Sequence, residues 1–441
     1  MKVRIGLALG LGIGLGGCSG GWFGGDEEGT RLPGERIPVM LLERELTADP
    51  QLTGLDVRLP PPVRNAAWTQ AGGDPAHAMH HLAAADRLDL AWRADIGEAG
   101  GASGQLLARP VAAGGRVFTM DAEGTISAFA AEDGARLWQT SPDDLDPDGA
   151  VLGGGVALGE GSLFATVSSG MVLALDPASG RELWRQDLGL PLRAAPTIAG
   201  DLVLALSADN QLYALDASSG RPVWRHSGFF ESAGLLGGPS PAVQNDIVIV
   251  PYSSAEVYAL RLDSGRPIWN DTVQRPRRTL ALAEINDIDG HPVIDGGAVF
   301  IAGHGGQMAA LDLRRGIRAW DIDLASTQTP WVAGDYIYVL TTRAEVVCLL
   351  RQNGRVRWVS PLPRLEDPDD PASLSINWHG PILVGDRLLL AGSDGQMIAM
   401  SPYNGEILGR IELAGPVQVP PIAVGGSVFV LTEEAELLAF R

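Results

Sequence analysis

The chain has 441 residues, a formal net charge of −20 and an isoelectric point near 4.7, and 45% of its residues are hydrophobic. A chain of this length can bury an extensive core. So strong a negative charge argues against nucleic acid as a partner and against electrostatic attraction to anionic lipid. The sequence contains only two cysteines, Cys18 and Cys348, which excludes a disulfide framework.

Residues 1–17 have the pattern of a secretory signal peptide. Two cations precede an apolar, glycine-rich run that is too short to span a bilayer stably. The signal ends in Leu-Gly-Gly followed by Cys18, which resembles the bacterial lipobox. This resemblance implies that Cys18 becomes the first mature residue and carries the acyl chains that anchor the protein. Ser19 favours the outer membrane as its destination. The alternative is an ordinary signal peptide with an incidental cysteine.

Residues 18–65 are rich in glycine, proline and charge and are predicted to form a lipidated flexible tether and N-terminal extension. Beyond them, His77, His80 and His81 fall within five residues. This spacing is compatible with a metal site, but no carboxylate or thiol is fixed beside the histidines. The alternative is a capping segment that lies on the folded domain.

A repeat of about 40–50 residues organises the chain from residue 88 onward. Its clearest copy, residues 212–224, reads as a strand, a tight turn from Asp216 to Gly220, and a second strand that carries Trp224. Successive copies are 38 to 51 residues apart, which fits the four-stranded blades of a β-propeller. The repeated positions are Trp138, Trp184, Trp224, Trp269, Trp320, Trp358 and, where the tryptophan is missing, Gly409.

The eighth copy lacks one strand at the C-terminus, and residues 88–93 supply a matching strand near the N-terminus. Trp92 precedes Trp138 by 46 residues, which is the spacing of the repeat. We therefore predict an all-β fold, an eight-bladed propeller of four-stranded antiparallel blades over residues 66–441. The N-terminal strand closes the ring and removes the exposed sheet edges. The tryptophans are predicted to pack between neighbouring blades.

The repeated Ala-x-Asp-x-x-x-Gly-x-x-x-Trp pattern resembles the tryptophan-docking motif of the pyrroloquinoline-quinone dehydrogenases, which have eight blades. Combined with the lipobox, the chain resembles the BamB family, lipoproteins of the outer-membrane protein assembly (BAM) complex. The resemblance implies a lipid-anchored protein on the periplasmic face of the cell outer membrane of a Gram-negative bacterium. It also implies that BamA and the other BAM subunits are partners, and it leaves open direct contact with unfolded outer-membrane proteins.

Two connecting loops sharpen this resemblance. Residues 189–196 resemble the leucine- and arginine-bearing BamB loop that contacts BamA, and residues 285–289 resemble the paired-aspartate loop of the same surface. The implied partner-binding residues are Leu190, Leu192, Arg193, Asp287 and Asp289.

Propeller geometry predicts that the two loops share one face of the disc, because both connect an outer strand to the next inner strand. We expect an apolar centre of Leu190 and Leu192 edged by the three charged residues. The alternative for the two aspartates is that they shape their own turn. The intervening connection carries an apolar set that is either tucked in or exposed for a partner. This set comprises Phe229, Phe230, Leu235 and Leu236.

A quinoprotein dehydrogenase is the alternative function. Such an enzyme needs a Ca²⁺ site of several converging oxygens, a catalytic aspartate and usually an adjacent cysteine pair. Asn286, Asp287 and Asp289 offer oxygens, but on one short loop, and the sequence has no adjacent cysteines. We therefore predict a non-catalytic scaffold without catalytic, cofactor-binding or metal-binding residues.

Overall fold

The computed structural model describes residues 45–100, 105–142, 153–231, 237–274 and 287–441. The signal peptide, Cys18 and the extension up to residue 44 lie outside the described residues. So do two of the four apolar loop residues and Asn286. The described part contains no helix that is long and apolar enough to cross a membrane.

Eight antiparallel sheets form the blades of the predicted propeller. Seven blades consist of four consecutive strands, the first with one additional N-terminal strand at its inner edge, and the eighth combines three C-terminal strands with one N-terminal strand. The described part of the chain begins with a short 3-10 helix, Pro50–Leu52, and the strands β1 (Ala67–Trp68) and β2 (Leu90–Asp95). The first four blades are β3 (Val111–Ala113), β4 (Arg116–Met120), β5 (Ile126–Ala130), β6 (Arg136–Thr140); β7 (Gly154–Gly159), β8 (Ser162–Val167), β9 (Met171–Leu175), β10 (Glu182–Asp187); β11 (Thr197–Ala199), β12 (Leu202–Leu206), β13 (Gln211–Asp216), β14 (Pro222–Ser227); and β15 (Ala242–Gln244), β16 (Ile247–Pro251), β17 (Glu256–Arg261), β18 (Pro267–Thr272).

The remaining blades follow the same order from the inner to the outer strand. They are β19 (Val293–Asp295), β20 (Ala298–Ala302), β21 (Met308–Asp312), β22 (Arg318–Ile322); β23 (Trp331–Ala333), β24 (Tyr336–Leu340), β25 (Glu345–Leu350), β26 (Val356–Pro361); β27 (Trp378–Val384), β28 (Arg387–Gly392), β29 (Gln396–Met400), β30 (Ile407–Glu412); and β31 (Ile422–Val424), β32 (Ser427–Leu431), β33 (Glu436–Phe440).

The N-terminal strand β2 completes the eighth blade, as predicted. It pairs antiparallel with the last strand, β33, and the register sets Trp92 opposite Ala439. The eighth blade is therefore built from both ends of the described chain, and its sheet order is β2-β33-β32-β31. Closing the ring in this way pairs the edge that an open array would expose.

Burial follows the position of a strand within its blade. The second strands are buried on both faces, as in β12, whereas outer strands such as β14 alternate between exposed and half-buried residues. This difference explains why the second strands read as continuous apolar runs and the outer strands as alternating ones. Cys348 is buried in β25, and burial raises the pKa of its thiol. It is a small core residue.

The tryptophans pack between blades and fix the spacing of the ring. Trp184 is representative, because its indole Nε1 donates to Ala217 O in the next blade at 2.9 Å. A Cβ on Gly220, whose φ is +72°, would lie 2.5 Å from that ring, so the position needs glycine for both its backbone and its space. The same hydrogen bond and contact join Trp92, Trp138, Trp224, Trp269, Trp320 and Trp358 to the following blades.

The segment from residue 63 to residue 85 circles one end of the central channel and bonds to the inner strand of every blade. Its partners follow the chain order of the blades, so the segment acts as a continuous cap. The contacts are Ala67 with Ala113, Thr69 O with Leu158 N, Gln70 with Ile198 O, Pro75 O with Val243 N, Ala76 O with Ile294 N, His80 O with Trp331 Nε1, Leu82 N with Leu383 O, and Asn65 with Ala423 O.

The three clustered histidines belong to this cap, and they make separate contacts. His77 Nδ1 donates to Pro292 O at 2.8 Å, and His81 Nδ1 donates to Pro60 O at 2.7 Å. The exposed ring of His80 lies 3.7 Å from Asp295. No group of three histidine, cysteine or acidic side chains able to hold a metal occurs within the described ranges. The capping alternative therefore accounts for the cluster.

The compact unit starts at Leu46, twenty residues before the predicted boundary of the propeller. Asp49 accounts for part of this difference, since it pairs with Arg355 at 2.7 Å and its backbone N–H donates to Val356 O at 2.9 Å. Tyr336 also donates from its hydroxyl to Asp56 O at 3.0 Å. The later part of the predicted tether is thus attached to the sixth blade.

Candidate functional site

A buried ion pair joins the two distinctive loops. Arg193 Nη2 donates to both carboxylate oxygens of Asp287, at 3.1 and 2.9 Å, and lies 3.6 Å from Asp289 Oδ1. The Nε atom of Arg193 donates to Gly237 O on the intervening connection at 3.0 Å. Three successive connections are thus tied together on one face of the disc, and the prediction that the two loops share a face is confirmed.

The expectation of an exposed apolar centre is wrong for Leu192, whose side chain is 1% exposed. Arg193 and Asp287 are also buried, at 6% and 0%. The cause is local pairing: Leu192 forms a bridge with Ser207, and Arg193 N donates to Leu206 O at 3.1 Å, so the loop extends the third blade. Leu190, before this pairing begins, stays partly exposed.

Asp289 shares the guanidinium of Arg193 with Asp287 but makes a poorer contact. Burial and the negative charge of Asp287 together raise the pKa of Asp289 to about 7, although Arg193 partly opposes both effects. Its Oδ1 atom has no hydrogen-bond partner within the described part of the chain. Two buried carboxylates and one cation therefore make a group whose charge changes near neutral pH. The aspartates do more than shape their own turn.

Two phenylalanines on the intervening connection are exposed apolar side chains of this face. Phe229 and Phe230 are each 70% exposed. The backbone beneath them is held at two points: Asn210 Nδ2 donates to Phe229 O at 2.6 Å, and Phe229 N donates to Glu256 Oε2 at 2.9 Å. Their exposure is confirmed, whereas Leu235 and Leu236 lie outside the described residues. The aromatic pair is displayed on an anchored backbone.

The turn Ser207–Asn210 links the phenylalanines to the first loop. On one side Ala208 N donates to Pro191 O at 2.8 Å, and on the other Asn210 holds Phe229. Leu190 and the aromatic pair therefore flank the same turn of the third blade.

A cavity of about 490 Å³ occupies the centre of the same face. Residues from all eight blades line it, and Ala71 of the cap forms part of its lining. The cavity contains Arg109, His291 and His379, which the sequence analysis did not single out. Arg109 and His291 each directly precede the proline at the start of an inner strand. Other blades carry small residues at this position, so the contrast could have been recognised by aligning the repeats.

The donor set does not fit the Ca²⁺ ion that the alternative function, a quinoprotein dehydrogenase, would need. Asp287 already accepts from Arg193 with both oxygens, and Asp289 is the second neighbour of the same guanidinium. A hard cation requires several oxygens that converge on it. Here the cation between the carboxylates is already present, because the chain itself supplies the guanidinium of Arg193.

Comparisons with known proteins agree on one family. Residues 81–151 and 122–360 match the family model described as outer membrane protein assembly factor BamB. The BamB of Shewanella oneidensis is 22% identical over 372 residues, covering 82% of this chain and 91% of the relative. The BamB of Escherichia coli is 25% identical over 333 residues, covering 74% and 82%.

Two solved structures share the fold. BamB from Moraxella catarrhalis superposes with a TM-score of 0.68 at 19% identity, covering 80% of this chain and 100% of that one. A europium-containing methanol dehydrogenase gives 0.67 at 15% identity, covering 85% and 98%. Fold alone does not separate scaffold from enzyme. The family model, which spans most of the propeller, does make the assignment: this chain belongs to the BamB family of outer membrane protein assembly factors.

Proposed function

We propose that the chain is a non-catalytic scaffold of the outer-membrane protein assembly machinery, anchored to the periplasmic face of the outer membrane through acylated Cys18. It docks BamA through the face that carries the connecting loops. The observation that carries the proposal is the exposed pair Phe229 and Phe230, displayed beside the braced loops of the third blade. Large aromatic side chains commonly dominate the energy of protein interfaces.

The loop residues implied by the family resemblance take two different roles in this proposal. Leu190 is partly exposed and contacts the partner at the edge of the aromatic pair. Leu192, Arg193 and Asp287 are buried, so they act by holding the loops in position. Asp289 joins them through its contact with Arg193. Binding to the partner therefore depends on a surface whose shape is fixed by the buried residues beneath it.

The proposal excludes quinone-dependent catalysis because Arg193 engages the carboxylates that a Ca²⁺ ion would need. Incubation with the quinone and Ca²⁺ should give neither a bound chromophore nor dye reduction. A stoichiometric chromophore with dye reduction would support the dehydrogenase alternative instead.

The docking face can be tested by calorimetric titration with the periplasmic domains of BamA. We expect the double variant Phe229→Ser, Phe230→Ser to bind at least about 30-fold more weakly, which corresponds to about 2 kcal/mol. Its thermal unfolding should match the parent, because the two side chains are largely exposed. The control is Leu183→Ser, Val223→Ser, which removes exposed apolar side chains from the outer strands β10 and β14.

The control should retain the parent affinity. If the phenylalanine variant binds as tightly as the parent, or if the control loses as much affinity, the docking face lies elsewhere on the propeller.

A further inference from the structure

The inner strands of seven blades share a feature that marks the wall of the channel. Each contains or directly follows a proline, and the residue before that proline is small or aliphatic in most blades. The exceptions are Arg109 in the first blade and His291 in the fifth. The other residues at this position are Ala195, Ser240, Thr329, Gly380 and Pro420. Blades one and five face each other across an eight-bladed ring, and both residues line the cavity at its centre.

Arg109 uses little of its hydrogen-bonding capacity within the protein. Its one hydrogen bond within the described residues runs from Nη1 to Ala71 O and is long, at 3.4 Å. No described carboxylate forms an ion pair with it, and burial alone lowers its pKa to about 10. A guanidinium carries five N–H donors, so most of its bonding capacity remains available toward the cavity.

His291 contributes a second donor. Its ring is 3% exposed, and Nδ1 accepts from Ser240 N at 2.9 Å. The neutral ring must therefore carry its hydrogen on Nε2, and that atom has no partner among the described residues. Burial, together with the positive charge of Arg109, holds the pKa of His291 well below its usual value. His291 thus carries an uncharged, unpartnered N–H that is buried at the wall of the cavity that Arg109 also lines.

The other arginine of the cavity wall is already paired with carboxylates. Arg193 and Asp289 both line it, but Arg193 is engaged with Asp287 and Asp289. His379 also lines it, and its buried Nε2 has no hydrogen-bond partner within the described ranges. Burial and the charge of Arg109 lower the pKa of His379 to about 4, so this ring is neutral as well. Arg109 is therefore the guanidinium of the cavity wall that no described carboxylate engages.

We propose that Arg109 and His291 form a binding site on the propeller axis for one small oxyanion, a carboxylate or phosphate group. The guanidinium fork matches the spacing of two oxygens on either group, and the histidine N–H supplies a third donor. The cavity of about 490 Å³ has the size of a small-molecule site and opens on the loop face. This site is independent of BamA docking, because neither residue belongs to the aromatic surface.

Calorimetric titration of the full chain in detergent tests the site without any partner. Inorganic phosphate and succinate are titrated separately, with sodium chloride at equal ionic strength as the reference. We expect saturable binding of one equivalent of at least one probe, and comparing the two arms separates a tetrahedral phosphate ligand from a carboxylate. Arg109→Gln should weaken that binding at least about tenfold. Arg87→Gln, which alters a guanidinium with 85% exposure, is the matched control and should change the affinity less than twofold.

His291→Asn gives a second test, since the asparagine oxygen can replace Nδ1 as the acceptor for Ser240 while the Nε2–H donor is lost. It should weaken binding severalfold and keep the fold intact by circular dichroism. If Arg109→Gln fails to fold, the affinity of His291→Asn for the probe tests the proposal instead. The proposal is overturned if neither probe binds saturably, or if the folded Arg109 or His291 variants bind as tightly as the parent.

Discussion

Replacing Arg193 by methionine removes the guanidinium that holds Asp287 and ties three connections together. Asp287 is fully buried, and breaking a buried ion pair from one side costs about 3–5 kcal/mol, because a carboxylate is left without its cation. Gly237 O also loses the N–H of Arg193. We therefore expect Arg193→Met to lower the free energy of unfolding by at least about 3 kcal/mol.

The double variant Arg193→Met, Asp287→Leu separates charge from packing. With both partners apolar, no charge of this pair remains buried, so at least half of the lost stability should return. Urea denaturation followed by tryptophan fluorescence measures both variants, and the ring tryptophans report on the whole propeller. The reasoning is refuted if Arg193→Met unfolds within about 1 kcal/mol of the parent, or if the double variant is less stable than the single one.

Two further predictions concern stability. Gly220→Ala should lower the free energy of unfolding by about 1–3 kcal/mol more than Gly200→Ala. Both glycines have positive φ, but only at Gly220 would the new Cβ meet a neighbouring side chain, that of Trp184. Equal thermal shifts for the two variants would contradict this. Asp289, with its pKa raised from 3.8 to about 7, keeps a proton in the folded state that the unfolded state releases, so its contribution to stability falls as pH rises through that window. Asp289→Asn should therefore lose less stability between pH 5 and pH 8 than the parent, by up to about 3 kcal/mol; a profile parallel to the parent's would refute the assignment.

The fold could be predicted from the sequence because independent signals repeat with the same period. The turn glycine and the tryptophan of each unit meet across a blade interface, so the residues that mark the pattern are also the ones that hold the ring together. Closure was predictable for the same reason, since Trp92 is in phase with the later tryptophans and docks on Gly134. Local signals sufficed here because each contact joins residues about one repeat apart.

The site was only partly predictable, because its key contacts are between distant loops. Nothing in the sequence around Arg193 shows that its partner is an aspartate 94 residues away, or that Leu192 pairs with Ser207 and becomes buried. The cap was missed as a ring for a similar reason: its bonds to eight blades use mostly backbone atoms, which leave no compositional trace. Only its three clustered histidines, for which a capping segment was the alternative to a metal site, indicated a segment lying on the propeller.

The missing tryptophan at Gly409 follows from how the ring is closed. In every other blade the outer-strand tryptophan docks on the glycine of the next blade's turn between its third and fourth strands. The eighth blade has no such turn, because its third strand, β33, comes from the C-terminal end and its fourth, β2, from the N-terminal end. A tryptophan on β30 would therefore have no turn glycine to receive it. The seam between the seventh and eighth blades must be held in another way, and the cap, which bonds to Leu383 O of one blade and Ala423 O of the other, spans it.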